Sequence, residues 1–437
     1  LREALSHLQG KAACATIVAL TCLLALPSQA GAASQQRRCS CSRDLRHLRA
    51  AEPTPRHCKI NHQLREGGLP ACPRRRSPAN PRKLAAQRAE LLFSALKATF
   101  YIPRTGLFRE SLRATEPSFL WPFSQGFGAT VAVAALPGQL SLLKPILFAE
   151  MGGLQTYVSN KVPAAVASRL ALQSLPHFAA TVSALGEGEA AYYDDNDWVG
   201  LELVRLYLLT HEESALAMAE EVMQFEMSGW DPSSSLPCPG GIPHSTEGER
   251  VNRSAISTAP AAELGVILYR LTGSGAYLQF AEQGYEWVRT CLRGPEGLYF
   301  DHIEEDGEVD PELWSYTQGV MIGAGTLLYE ATGQEAYLRE AEETARASLA
   351  RFPLEQLAVE NPFFVQIYLR NLLYLDTLIH SRAAREAIER YLAWAWENLQ
   401  EPNHLILSAD GSPTVLLGQA AYVQLYAALA LPRRLYL

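Results

Sequence analysis

From residue 83 onward, apolar side chains recur with a helical period, and the apolar–polar alternation that marks strands is scarce. The period predicts helices near residues 83–101, 121–135, 139–157, 195–210, 213–227, 256–272, 275–292, 314–332, 335–350, 362–379, 382–399 and 413–430. Several helix pairs share one connector. Leu268-Tyr269-Arg270-Leu271-Thr272-Gly273-Ser274 leads into Ala276-Tyr277-Leu278, and Leu328-Tyr329-Glu330-Ala331-Thr332-Gly333-Gln334 leads into Ala336-Tyr337-Leu338. Leu206-Tyr207-Leu208-Leu209-Thr210-His211-Glu212 is a degenerate copy. Each Thr-Gly marks a helix end, with Gly in the left-handed conformation past the last turn and the next polar residue starting a new helix.

Tyr207, Tyr269 and Tyr329 recur at intervals of 62 and 60 residues, so the repeat is a helix pair plus a variable loop. Six such pairs predict an all-α fold, a closed (α/α)6 toroid of helical hairpins. An open solenoid is the competitor, but tetratricopeptide and HEAT repeats run about 34 to 47 residues with short loops. The extra length here falls in loops on one side of the hairpins, where loops over a rigid scaffold make a site. Gly323-Ala324-Gly325 lies inside a helical pattern and reads as close helix packing rather than phosphate binding.

The segment before this pattern differs in kind. Residues 1–33 read as a signal peptide: Arg2 and Lys11 flank a mostly apolar run, Ala12–Leu26, followed by the small residues Ala30-Gly31-Ala32. The run is short for a membrane span, so no stable span is expected in the mature protein. Residues 34–82 are rich in Arg, Pro, Cys and Ser without an apolar period and read as a basic disordered linker. Residues 83–437 carry the helical pattern and read as one folded (α/α)6 domain.

Charge sharpens this division. Residues 1–88 carry 16 Lys and Arg against 4 Asp and Glu, whereas the remainder carries 22 against 42. An acidic body argues against nucleic acid as a partner. Cys39, Cys41, Cys58 and Cys72 lack the spacing of a zinc knuckle, and no metal or cofactor is expected. In an oxidising compartment Cys238 and Cys291 have the option of pairing, which spacing alone does not decide.

Residues Tyr192-Tyr193-Asp194-Asp195-Asn196-Asp197-Trp198 place three carboxylates within four positions, framed by aromatics, before an amphipathic run. Like charges so close push their protonation states apart, as acid–base chemistry on sugars requires. The competing reading is an N-cap cluster, with Asn196 or Asp197 capping and no catalytic role. The D-x-D-x-D-G frame of a calcium loop is missing. The long loops add Trp, Tyr, Gln, Asn and Asp and almost no Lys, a palette suited to a neutral polyhydroxylated ligand.

Tyr192-Tyr193-Asp194-Asp195-Asn196-Asp197-Trp198, Leu120-Trp121-Pro122-Phe123-Ser124-Gln125, Gly240-Gly241-Ile242, Tyr316-Thr317-Gln318-Gly319 and the Leu-Tyr-x-x-Thr-Gly connectors together resemble glycoside hydrolase family 76. The likeness covers about residues 83–430. The family contains bacterial endo-α-1,6-mannanases and fungal cell-wall relatives. The resemblance implies an (α/α)6 fold and a retaining mechanism with Asp194 as nucleophile and Asp195 as acid/base. It also implies a cleft lined by Trp121, Gln125, Tyr193, Asn196, Trp198, Asp301, Tyr316 and Gln318. Three departures stand out: Pro243-His244 where an aromatic is expected after Gly-Gly-Ile, Val199 after Trp198, and Thr317 where Asn is common.

The resulting expectation is a secreted or periplasmic, monomeric glycosidase acting on α-1,6-mannan, with transglycosylation of mannose-containing wall polymers as a variant. A terpene cyclase needs a second magnesium-binding element, which Asn252-Arg253-Ser254-Ala255-Ile256 fails to supply. A toroidal sugar epimerase needs paired histidines, and none pair in the sequence. A non-catalytic carbohydrate-binding protein on the same fold would be marked by a broken carboxylate pair, and this pair is whole.

Overall fold

The computed structural model describes residues 80–183, 190–247 and 252–432; the expected signal peptide and nearly all of the expected linker lie outside them. In chain order the helices are α1 (Pro81–Phe100), α2 (Leu120–Ala134), α3 (Leu140–Leu154), α4 (Ala164–Arg169), α5 (Tyr193–Thr210), α6 (Glu213–Gly229) and α7 (Ala255–Thr272). They continue as α8 (Gly275–Cys291), α9 (Ser315–Thr332), α10 (Glu335–Arg351), α11 (Leu354–Leu357), α12 (Pro362–Ile379), α13 (Ala383–Asn398) and α14 (Leu416–Ala430). Every helix read from the apolar period is present, and the short α4 and α11 are additional. α1 starts at Pro81, with Asn80 Oδ1 accepting from the Arg82 N–H, two residues before the helix start read from the apolar period.

Two kinds of helix alternate. α2, α5, α7, α9, α12 and α14 each pack on the next in that cyclic order, and α14 returns to α2, closing a ring. Outside them lie α3, α6, α8, α10 and α13, each beside the helix it follows, while α1 packs on α14 to complete the sixth pair. The inner helices are apolar on nearly every side, as a helix must be when surrounded by protein. In α14, for example, every residue from Leu416 to Leu429 is buried. Fully burying a side chain such as Leu264 or Phe127 contributes roughly 1.5–3 kcal/mol, so these two buried helices hold the ring together mainly by packing. Outer helices such as α8 bury one stripe, including Tyr277, Phe280, Ala281 and Tyr285, and expose the other.

The short connectors follow inner helices. Gly273 and Gly333 adopt φ 77° and 71°, and their N–H groups bond to the carbonyls of Tyr269 and Tyr329. His211 takes the same left-handed role at φ 56° in the degenerate copy. The recurrent threonine does the capping: Thr272 Oγ1 donates to the Leu268 carbonyl and accepts from the Ser274 N–H, and Thr332 does the same with Leu328 and Gln334. Ser274 and Gln334 themselves form no side-chain cap.

The long loops precede inner helices, so they gather at the rim where the inner helix N-termini lie. Small antiparallel ladders stiffen them: Tyr101–Ile102 with Leu107–Phe108, Val158–Ser159 with His177–Phe178, and Arg253–Ser254, His302–Ile303 and Val309–Asp310 in a three-stranded sheet.

Polar side chains close the ring's interior. Glu202 and Arg205 of α5 pair with each other, and Glu202 Oε1 lies 3.6 Å from Arg370 of α12. Gln424 Nε2 donates to Gln125 Oε1 at 3.1 Å, while its own Oε1 accepts from Gln366 and Arg370 at 3.1 and 3.0 Å. Gly323 makes room for this layer, since a Cβ there would sit 1.9 Å from Glu263 Oε1 and 2.2 Å from Asn371 Oδ1.

Candidate active site

The site is built on the first turn of α5. Asp194 and Asp195 are the second and third residues of the helix, which starts at Tyr193, two residues before the sequence reading placed it. Both aspartates are therefore helical, not in an extended approach to the helix. Neither capping alternative holds: the N-cap is Tyr192 without a side-chain bond, and the Asp197 carboxylate has no hydrogen-bond partner. The helix start is fixed from elsewhere, by the Tyr193 N–H donating to the His244 carbonyl at 3.1 Å.

Asn196 anchors the preceding loop. Its Oδ1 accepts from the Phe178 N–H at 2.8 Å, and its Nδ2 donates to the carbonyls of Phe178 and Tyr192 at 2.9 and 2.8 Å. The fourth residues of other inner helices act alike. Gln318 grips the peptide of Tyr299 through both ends of its amide, Gln419 accepts from the Ile406 N–H, and Thr258 accepts from the Ile242 N–H.

The two acids differ in what surrounds them. Burial raises the Asp194 carboxyl above its usual range, but His244 opposes this, as do the backbone N–H groups of Asp195 and of Asp194 itself; Asp301 adds to the rise. Asp195 is pushed well above its usual range by burial and then by the charge of Asp194, with no opposing cation. The stronger proton-holder is therefore Asp195, and the better-stabilised anion is Asp194. The helix N-terminus reinforces the anion.

Behind the pair lie two more acids, Asp197 and Glu226, fully buried with none of their carboxylate oxygens bonded. Burial drives both well above their usual range, and the charge of Asp194 adds to the rise of each.

Across the rim an aromatic cluster converges from three inner helices. Trp121 of α2 meets Phe363 edge-on at 5.1 Å, and Phe364 stacks on Tyr316 of α9 at 4.0 Å with Trp314 tilted against it at 5.5 Å. Asp301 stands at the same rim, its Oδ2 2.8 Å from His302 Nδ1, while His302 Nε2 lies 3.3 Å from Glu304.

The eight expected cleft residues thus divide. Trp121, Asp301 and Tyr316 lie at the rim. Gln125 and Trp198 are buried lower, on the wall of the ring's interior beside Glu202 and Glu263. Tyr193, Asn196 and Gln318 face away from any opening. Tyr193 is 1% exposed and stacks on Phe225 at 4.4 Å, and the two amides are wholly buried and occupied by loop peptides. These three shape the site from behind. The physical reason is helix geometry, which turns successive side chains by about 100°, so Tyr193 points into the α5–α6 interface while Asp194 and Asp195 lie on other faces of the helix.

Sequence reasoning missed Tyr192, His244, Phe363 and Phe364. Phe363-Phe364 follows Asn361-Pro362 at a helix start, much as Trp121 stands beside Pro122, and that parallel was the available signal. No local signal tied His244 to Asp194.

Cys238 and Cys291 form a disulfide with a Cα–Cα distance of 6.2 Å, joining the loop that carries His244 to the end of α8. Among the described residues no helix is long and apolar enough to cross a membrane.

Comparison with known proteins accords with this architecture. The structure is similar to the family 76 mannosidase Bt3792 from Bacteroides thetaiotaomicron VPI-5482, with TM-score 0.70 and 22% identity over 79% of this chain and 98% of that one. It is also similar to the α-1,6-mannanase of Salegentibacter sp. HEL1_6, with TM-score 0.66 and 22% identity over 79% of this chain and 99% of that one. An inactive form of that mannanase, with two adjacent aspartates replaced, has been solved in complex with α-1,6-mannotetrose. In sequence, the chain is 26% identical over 106 residues (23% of this chain) to Mannan endo-1,6-alpha-mannosidase DCW1 of Saccharomyces cerevisiae. It is 29% identical over 126 residues (27% of this chain) to Mannan endo-1,6-alpha-mannosidase DFG5 of the same yeast. The matches span only 24% and 27% of the length of these curated relatives. Residues 85–395 match the family profile described as Glycosyl hydrolase family 76. The chain belongs to glycosyl hydrolase family 76.

Proposed function

We propose that the protein hydrolyses α-1,6-mannosidic linkages by double displacement, with Asp194 as nucleophile and Asp195 as acid/base. The observation that carries this reading is the unequal environment of two adjacent buried carboxyls on one helix turn, at a rim shared with an aromatic cluster. Asp194, ionised, attacks the anomeric carbon while the Asp195 proton passes to the leaving glycosidic oxygen. Asp195 then takes a proton from water, whose oxygen breaks the glycosyl ester and frees Asp194. Trp121, Phe363 and Tyr316 supply flat apolar faces for sugar rings. The Salegentibacter complex, in which two adjacent aspartates were replaced and a mannotetrose bound, supports the same division between turnover and binding. The Cys238–Cys291 bond suits an oxidising compartment and supports an exported protein.

The test uses the full chain with linear α-1,6-mannooligosaccharides, following the anomeric configuration of the first products by NMR. α-Anomers are expected at first appearance, and β-anomers would refute double displacement. Asp194→Asn and Asp195→Asn should each lose at least ~10³-fold in turnover while still binding oligosaccharide by calorimetry. A variant that keeps full turnover removes its residue from the mechanism.

A further inference from the structure

Residues 237–245, in the loop between α6 and α7, are held with unusual firmness for a surface segment. The Arg253 guanidinium donates to the carbonyls of Pro237 and Gly240 at 2.7 and 2.9 Å, and also to that of Cys238. The Trp287 indole donates to the Cys238 carbonyl at 3.1 Å, and the disulfide ties Cys238 to α8. Gly241, at φ 81°, lies so close to Trp287 that a Cβ would come within 2.4 Å of the ring. Beyond it, the His244 carbonyl accepts from Tyr193 and Ser245 bridges to Tyr192.

The outcome of this bracing is an imidazole at the acid pair. His244 Nδ1 lies 3.6 Å from Asp194 Oδ1, and its side chain is 46% exposed against 11% for that of Asp194. The ring is steadied by Tyr192, 5.2 Å away and tilted. Among the described residues, the other ionisable groups acting on this corner are acids or a phenol. Asp195 and Asp197 come from α5, Glu226 from α6 and Glu263 from α7, and Asp301 from the loop before α9. Tyr192 and Glu247 complete the set.

We propose that His244 is a positioning residue for the reaction, whose imidazolium keeps the Asp194 carboxylate ionised and oriented in mildly acidic solution and so sets the acid side of the activity profile. The inference rests on the reading of Asp194 as nucleophile. An imidazole takes up its proton in mild acid, the condition under which a nucleophilic carboxylate is most at risk of protonation. Without that cation, no other side-chain charge among the described residues opposes burial and the surrounding acids, and Asp194 titrates higher. Activity then falls first at the acid end and recovers as the pH rises. The effect belongs to the acid range in which an imidazole carries its proton, so wild type and variant converge above it.

The experiment is the pH profile of kcat/KM on α-1,6-mannotetraose for wild type, His244→Gln and His244→Lys, with thermal melting as a check on folding. His244→Gln should lose about 3–10-fold near pH 5, the equivalent of half to one pH unit, and much less near pH 7.5. His244→Lys, which restores a cation, should recover the acid side. A loss of the same factor at every pH, or coincident profiles, would overturn the proposal. If wild type hydrolyses no mannan, the functional reading fails, and the carboxyl titration of Asp194 decides the inference separately. With 13C-labelled aspartate, and Asp194→Asn to assign the signal, a higher midpoint in His244→Gln upholds the pairing. An unchanged midpoint dismisses it.

Discussion

Asn196 holds both the N–H and the carbonyl of Phe178 with one side-chain amide. Because Asn196 directly follows Asp194 and Asp195, the loop before α5 is locked to the turn that presents the acids. Asn196→Ala would orphan the Phe178 N–H and C=O in a buried setting, at about 1–3 kcal/mol for each unsatisfied group. Urea unfolding should show a clearly lowered midpoint, and a midpoint unchanged from wild type would mean the clamp holds nothing.

Stability should also depend on pH through the buried acids. Burial raises Glu150 from its ordinary 4.5 to about 7, and Glu263 from 4.5 to about 8. Both bind their protons more tightly folded than unfolded, so their contribution is complete below pH 4.5 and is lost as the pH rises through 7 and 8. The melting temperature is expected to decline across that interval. Glu263→Gln, which cannot ionise, should flatten the upper part of the decline; a slope identical to wild type would exclude Glu263 as a contributor.

The Cys238–Cys291 bond closes a segment of 53 residues that includes the His244 loop and α7. Chain-entropy reasoning assigns such a crosslink roughly 2–5 kcal/mol. Cys238→Ser paired with Cys291→Ser should therefore melt earlier. It should also lose activity at temperatures where the fold persists, because the loop bracing Asp194 is freed. Retained activity with a lowered melting point would confine the bond to a stabilising role.

At the rim, Trp121 presents a half-buried indole against Phe363. Trp121→Ala should raise KM for mannooligosaccharides about 3–10-fold, the worth of one aromatic contact, with little change in kcat. A fall in kcat at unchanged KM would place Trp121 in the chemistry rather than in binding.

The sequence alone determined the helices, their pairing and their connectors, because these follow from short-range physics. A 3.6-residue apolar period, a left-handed position after the last turn and a threonine that caps its own helix all act within a few residues. Adjacent aspartates framed by aromatics were legible for the same reason. Tertiary structure decided which neighbours turn into the core. Tyr193 turned inward and Tyr192 did not, Gln318 was taken by a loop peptide, and the cysteines met across 53 residues of chain. It also decided what opposes the charge on Asp194, for His244 lies 50 positions away in the sequence and reaches the carboxylate only because Arg253, Trp287 and the disulfide fold its loop back onto α5. Electrostatic influence depends on distance in space, and a linear pattern carries no record of that distance until the ring has closed.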